Sequence, residues 1–196
     1  MNLPNAITLS RLALTVVFVA AMEFPGALGY GIATTAFVIA AATDWLDGYL
    51  ARKMDLVTPL GKLLDPLADK ILVCAAFVAM SKHGLAPVWV TALIIGREFF
   101  VTGLRQIAVE AGQVLAADRL GKWKTTFQLT FIIAALVWLG LSEISELHAA
   151  LAMLRGFTSP DSWFLPSVLW IAVGLTVISG ANYLWHGRRL INSTDK

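Results

Sequence analysis

The uncharged run Phe24–Thr43 is 20 residues long and stops at Asp44-Trp45-Leu46-Asp47-Gly48-Tyr49-Leu50-Ala51-Arg52. About 20 residues of α-helix, rising about 1.5 Å each, cross a hydrocarbon core of about 30 Å. The run therefore reads as a membrane span, and the charged nonapeptide as its polar end. After a break at Val57-Thr58-Pro59 comes Gly61-Lys62-Leu63-Leu64-Asp65-Pro66-Leu67-Ala68-Asp69-Lys70, which opens the next apolar segment. On helices, Asp44 and Asp47 at i, i+3 share a face, as do Asp65 and Asp69 at i, i+4. A short basic connection joins these two helices. They are expected to be antiparallel neighbours with both carboxylate pairs at comparable depth.

The rest of the chain agrees with a membrane reading. Apolar residues are 58% of the 196, charged residues 14%, and the mean hydropathy is +0.73. An average soluble domain has roughly 45–50% apolar and about 25% charged residues. This chain cannot cover a soluble fold with so few polar side chains. Uncharged runs and segments with charged ends give six transmembrane helices, near 6–23, 27–51, 60–81, 87–110, 121–141 and 162–187. The fold class is all-α integral membrane, and no linker or repeat divides residues 1–196, so one domain is expected. The amino terminus has no basic cluster or small-residue cleavage site, so the first segment is expected to remain as a helix. Residues 143–157 are too charged to span; Ile144, Leu147, Leu151 and Leu154 recur at helical spacing, which fits a short surface helix or a plain connecting loop.

Charge sets the orientation. With the amino end inside, the inner side receives Arg52, Lys53, Arg105, Arg119, Lys122, Lys124, Arg188, Arg189 and Lys196, and the outer side only Lys82 and Arg155. Both termini are therefore expected in the cytoplasm. A net charge of +2 is too balanced for a nucleic-acid binder. The single cysteine, Cys74, excludes a disulfide scaffold and a Cys-rich zinc site. His83, His148 and His186 are scattered and read as loop or interface residues.

Four clustered carboxylates repel one another, and burying them unpaired costs many kcal/mol or forces protonation. Pairing with Lys or Arg to fix helix packing explains one such Asp better than four at paired spacings. A divalent ion with all-oxygen ligation, Mg²⁺ or Mn²⁺, answers the need directly, and two ions about 3.5–4 Å apart suit bridging carboxylates. A proton- or cation-coupled transporter also uses intramembrane carboxylates. Against it, the acidic pairs crowd one end, and neither a path to the other side nor a paired broken-helix pattern is evident.

The run Asp44-x2-Asp47-Gly48-x2-Ala51-Arg52-x8-Gly61-x3-Asp65-x3-Asp69 resembles the complete motif of the CDP-alcohol phosphotransferase family. Eight specified residues agree over 26 positions. The resemblance implies a six-helix fold and transfer of a substituted phosphoryl group from a CDP-linked donor to an alcohol, with release of CMP. It implies that Asp44, Asp47 and Asp65 hold divalent metal, and that Asp69 contacts metal or takes the acceptor proton. Gly48, Ala51, Arg52 and Gly61 would form or border the CDP pocket beside Asp44, with Asn5 and Thr8 at the nucleotide entrance. It also implies a bacterial inner-membrane location among membrane lipids and a homodimer, while the basic residues on the connections after the second and fourth helices imply that the carboxylate cluster opens to the cytoplasm.

A second charged set bears on the acceptor. Arg97-Glu98-Phe99-Phe100-Val101-Thr102-Gly103-Leu104-Arg105 runs down the fourth helix, Gly121-Lys122-Trp123-Lys124-Thr125 opens the fifth, and Arg11 lies in the first. Arg97 in lipid needs a partner, and Glu98 is a candidate. The positive-inside bias alone accounts for part of this set. As a group, Arg11, Arg97, Arg105, Lys122 and Lys124 suit the dianionic phosphate of a water-soluble acceptor, with arginine offering a bidentate fork. These segments resemble the branch of the family that joins glycerol 3-phosphate to CDP-diacylglycerol. Other branches use inositol phosphate, serine or phosphatidylglycerol on the same metal motif.

Overall fold

A computed structural model describes residues 3–54, 59–110 and 119–191. Seven helices are present there: α1 (Leu3–Met22), α2 (Ala27–Met54), α3 (Pro59–Lys82), α4 (Val88–Glu110), α5 (Arg119–Ser142), α6 (Ala149–Thr158) and α7 (Phe164–Ile191). Among the described residues there is no strand. The six long helices match the six expected segments, and in the stretch 143–157 the helix α6 begins only at Ala149, with Ile144 and Leu147 in the connecting segment before it.

The helix ends follow from local chemistry. Gly84 adopts φ 73° just past α3, and Leu85 N–H donates to the Met80 carbonyl at 2.9 Å, closing the last turn. Pro87 precedes α4, which starts at Val88. The Leu165 N–H donates to Ser162 Oγ at 3.4 Å, so Ser162 caps α7 and the helix starts later than residue 162. Within the long helices, hydroxyls return to the preceding turn, as Thr34 Oγ1 does to the Tyr30 carbonyl at 2.7 Å and Thr176 Oγ1 to the Ala172 carbonyl at 2.6 Å. Such back-bonding satisfies a polar group where no water is available.

Helix α1 packs on α2 and α3, α5 on α7 and α2, and α4 bridges α3 and α7. Among the described residues α2 touches α3 only sparingly, because α1 takes the place beside both. The core is a run of fully buried aromatics and aliphatics: Phe18 against Phe37 at 5.7 Å between centroids, and Phe77 stacked on Phe131 at 5.8 Å. Ala33, Ala36 and Ala40 bury a small-residue face of α2, and Gly140 of α5 approaches Tyr30. Small residues let helices close on one another where lipid removes the ordinary hydrophobic drive.

The outside is apolar. Val16, Leu28, Val177 and Ile178 are exposed. By length and hydropathy, Leu120–Ser142 and Phe164–Trp185 are each long and apolar enough to cross a membrane; Leu9–Met22 and Ala27–Thr43 are shorter apolar stretches. At one end of the bundle, Lys82 Nζ pairs with Glu23 Oε2 at 2.6 Å and His83 meets the Tyr30 ring edge-on. Chain alternation puts the starts of α1, α3 and α5 and the ends of α2, α4 and α7 at the other end, which holds the residues singled out above.

The α1–α2 turn is the tightest point of this frame. A Cβ on Gly29 would stand 2.0 Å from the Phe24 carbonyl oxygen, whereas one on Gly31 would meet nothing within 4 Å. Backbone cannot swing aside as a flexible side chain can. Gly29→Ala should therefore destabilise by about 1–3 kcal/mol, while Gly31→Ala should be neutral or slightly stabilising. Thermal unfolding of both variants in one detergent checks this; equal midpoints would contradict the turn geometry.

Candidate active site

Helix α4 presents Arg97, Glu98, Val101, Thr102 and Arg105 to a cavity of about 420 Å³. Positions i, i+1, i+4, i+5 and i+8 form one face of a helix. The start of α5 adds Lys122, Lys124 and Thr125, α3 adds Lys70, and α7 adds Tyr183. The cavity therefore joins four helices at the polar end of the bundle. Five cationic side chains and one carboxylate line it, among the described residues.

Glu98 holds the inner part together. Its Oε1 accepts from Lys124 Nζ and lies 3.5 Å from Arg97 Nη1. All three side chains are nearly buried, at 4% exposure for Lys124, 10% for Glu98 and 11% for Arg97. Charge-assisted bonds of this kind are among the stronger ones in proteins. Arg97 Nη2 also donates to Ser179 Oγ at 2.9 Å, and Arg105 Nη2 donates to the Tyr183 hydroxyl at 2.6 Å. Behind Arg97 the polar chain continues: Ser179 Oγ donates to the Thr176 carbonyl at 3.3 Å, and Gln128 Nε2 to Thr176 Oγ1 at 3.3 Å. Gln128, Thr176 and Ser179 are buried. The Nε atoms of Arg97 and Arg105 are also buried and make no hydrogen bond among the described residues. Cationic donors in excess of the one carboxylate, in a cavity walled partly by apolar side chains, form an anion site.

Of the residues expected to bind acceptor phosphate, the structure brings Arg97, Arg105, Lys122 and Lys124 to this one cavity. Arg11 is not among its lining; it is buried on α1, which packs on α2 and α3. Lys70, Ser179 and Tyr183 were not singled out from sequence. Thr176, Ser179 and Tyr183 do fall at i, i+3 and i+7, a polar stripe on an otherwise apolar helix, and that was the available signal.

The four aspartates lie on continuous helix: Asp44 and Asp47 in α2, Asp65 and Asp69 in α3. The i, i+3 and i, i+4 spacings therefore hold as read. Their side chains, and those of Gly48, Ala51, Arg52, Gly61, Asn5 and Thr8, lie outside the described residues. Two pairs of carboxylates on helical faces are hard oxygen donors, and that donor set fits Mg²⁺ or Mn²⁺.

The sequence model of the CDP-alcohol phosphatidyltransferase family matches residues 1–178, which takes in α1 to α5, α6 and the first half of α7. The chain belongs to the CDP-alcohol phosphatidyltransferase family. It is 44% identical over 194 residues to a CDP-diacylglycerol--glycerol-3-phosphate 3-phosphatidyltransferase of Bacillus subtilis (strain 168), with 93% of each chain covered. It is 41% identical to a protein of the same name from Pseudomonas fluorescens, over 69% of this chain and 72% of that one. A third, from Rickettsia bellii (strain RML369-C), is 35% identical with 93% of each chain covered. The matched residues include the aspartate helices and the α3, α4 and α5 walls of the basic cavity, and stop short of Ser179 and Tyr183 on α7.

Removing the carboxylate at the centre of this cavity should be costly. Glu98→Gln leaves Lys124 and Arg97 buried without a counter-charge. Breaking a buried pair from one side typically costs about 3–5 kcal/mol. The unfolding midpoint in detergent should fall well below that of the wild type, and Glu98→Asp should recover part of the loss. An unchanged midpoint would show that the buried cations do not depend on Glu98.

Proposed function

We propose that the protein is a membrane phosphatidyltransferase that moves the phosphatidyl group from CDP-diacylglycerol to glycerol 3-phosphate, yielding phosphatidylglycerophosphate and CMP. The observation that carries this reading is the cavity of Lys70, Arg97, Arg105, Lys122 and Lys124 around Glu98. An acceptor with a phosphomonoester needs such a site; serine does not. Family membership and relatives that bear this enzyme's name over nearly their whole length support the same acceptor.

Residues 1–196 act as one catalytic domain. Asp44, Asp47, Asp65 and Asp69 hold two divalent ions, Mg²⁺ or Mn²⁺. When bound, the ions supply positive charge against the donor pyrophosphate and the departing CMP. Gly48 and Gly61 leave room for the nucleotide, with Ala51, Arg52, Asn5 and Thr8 bordering it. Arg11, buried on the α1 side next to α2 and α3, belongs with this donor half more readily than with the acceptor cavity. Arg97, Arg105, Lys122 and Lys124 hold the acceptor phosphate. Asp69 takes the proton from the acceptor hydroxyl as its oxygen bonds the phosphatidyl phosphorus and the bond to the CMP oxygen breaks. Lys70, the next residue, lines the acceptor cavity, so the backbone at Asp69 lies within one residue of the cavity wall. That adjacency supports Asp69 as the base.

All six long helices span, in the bacterial inner membrane. Exposed tryptophans support two boundaries: Trp89 and Trp163 at one end, and Trp123 and Trp185 at the other. Trp163 and Trp185 are 22 residues apart, about 33 Å of helix, close to the hydrocarbon thickness. The basic end faces the cytoplasm with both termini, and the chain works as a homodimer.

Purified protein given CDP-diacylglycerol should release CMP with glycerol 3-phosphate and not with serine, inositol phosphate or phosphatidylglycerol. Product with another acceptor alone would replace the assignment. Chelation should abolish turnover, and Mg²⁺ or Mn²⁺ should restore it. Asp69→Asn should lower kcat by about 10²–10⁴-fold with donor binding largely kept; near-wild-type kcat would remove Asp69 as base.

Topology has its own test. In a background with Cys74 replaced, Lys53→Cys should react with an impermeant reagent only from the cytoplasmic side. Ser159→Cys should react only from the opposite side. Reversed labelling would invert the orientation and the source of acceptor.

A further inference from the structure

Arg97 and Arg105 are eight residues apart on α4, about 12 Å of helical rise. Both nevertheless bring their guanidinium carbons against one ring, at 5.8 and 5.2 Å from the Tyr183 centroid. The same residue accepts from Arg105 Nη2 through its hydroxyl at 2.6 Å. One turn earlier on α7, Ser179 Oγ accepts from Arg97 Nη2 at 2.9 Å. Tyr183 is buried, at 6% exposure, and lines the basic cavity.

Two guanidinium groups in one small cavity repel each other, and each hangs on a long flexible stem. An aromatic face offers each cation a favourable surface without neutralising it. A carboxylate in the same place would consume the charge that a phosphate needs, as Glu98 does for Lys124. A plain aliphatic side chain would fill the space but hold neither fork. The ring that both guanidinium groups approach thus orders them before any ligand arrives without adding negative charge to that of Glu98, which is what pre-organisation requires.

We propose that Tyr183 is a positioning residue that presets Arg97 and Arg105 as a two-armed clamp for the phosphomonoester of the acceptor. It sets acceptor affinity and leaves donor binding alone. The inference rests on the phosphate-acceptor reading given above. Ser179 assists on the Arg97 arm, with α7 as the common register for both.

The test compares Tyr183→Phe, Tyr183→Leu and Arg105→Ala in steady-state kinetics. Tyr183→Phe keeps the ring and loses one hydrogen bond, so the acceptor KM should rise about threefold to tenfold. Tyr183→Leu loses the ring as well and should raise it further, with Phe standing as the partial rescue. Donor KM and kcat should stay within about twofold, which a packing role would not spare. Adding Tyr183→Phe to Arg105→Ala should change the acceptor KM no further, because the hydrogen bond is already gone. A parallel rise in both KM values, or a multiplicative effect in the double variant, would overturn the proposal. If the wild type itself makes no product with glycerol 3-phosphate, the functional reading falls separately. Calorimetry with inorganic phosphate then decides the clamp on its own: weaker binding by the Tyr183 variants upholds it, and equal binding overturns it.

Discussion

A single carboxylate inside the bundle makes the basic cavity admissible. Glu98 faces Lys124 and Arg97 on side chains that are nine-tenths buried, in a chain whose outer surface is largely apolar. Desolvating a cation without compensation costs several kcal/mol, so two such cations need a fixed counter-charge simply to remain where they are. Glu98 supplies it from the helix that carries Arg97, one residue on. Everything built around the cavity, from the Ser179 contact on α7 to the opening turns of α5, depends on that anchor holding its place.

The remaining polar groups then sort by helix. Acidic positions belong to α2 and α3, and basic ones to α4 and α5, with α7 closing the basic side through Ser179 and Tyr183. Helix α3 belongs to both halves, since Asp65 and Asp69 stand on it and Lys70 lines the cavity. A donor bearing a pyrophosphate and an acceptor bearing a phosphate would repel each other in a common pocket. On the proposed assignment, separate halves that meet on α3 would avoid that repulsion while keeping the reacting oxygen and phosphorus adjacent.

Much of this was legible in the sequence because lipid leaves few choices. Where backbone groups have no water to bond, a long apolar run is a helix, and the six long helices begin and end close to where Pro25-Gly26, Pro59, Gly84 and Pro87 interrupt the runs. Charges in such runs are costly, so Arg97, Arg105 and Lys124 stood out and do share a cavity. Partner choice was less legible. A short α2–α3 connection implies that these helices touch, as they do, but nothing in loop length announces that α1 packs more extensively on both. Tyr183 was missed for a related reason: it is uncharged, lies 78 positions from Arg105, and acquires meaning only when α7 folds against α4.

Why the cavity favours a dianion follows from its charge count. With Glu98 already engaged by Lys124 and Arg97, the net charge of the lining remains strongly positive among the described residues. At an effective dielectric of about 20, opposite unit charges about 4 Å apart attract by about 4 kcal/mol. A phosphomonoester brings up to two negative charges and three acceptor oxygens, enough to meet two arginine forks and a lysine together. A zwitterionic amino acid carries its own cation into the cavity and forfeits that attraction. A neutral polyol gains only hydrogen bonds that water already gave it. On the proposed acceptor assignment, the same excess charge that makes the cavity difficult to bury would select the ligand, and the selection would be sharper the more firmly the forks are held in advance.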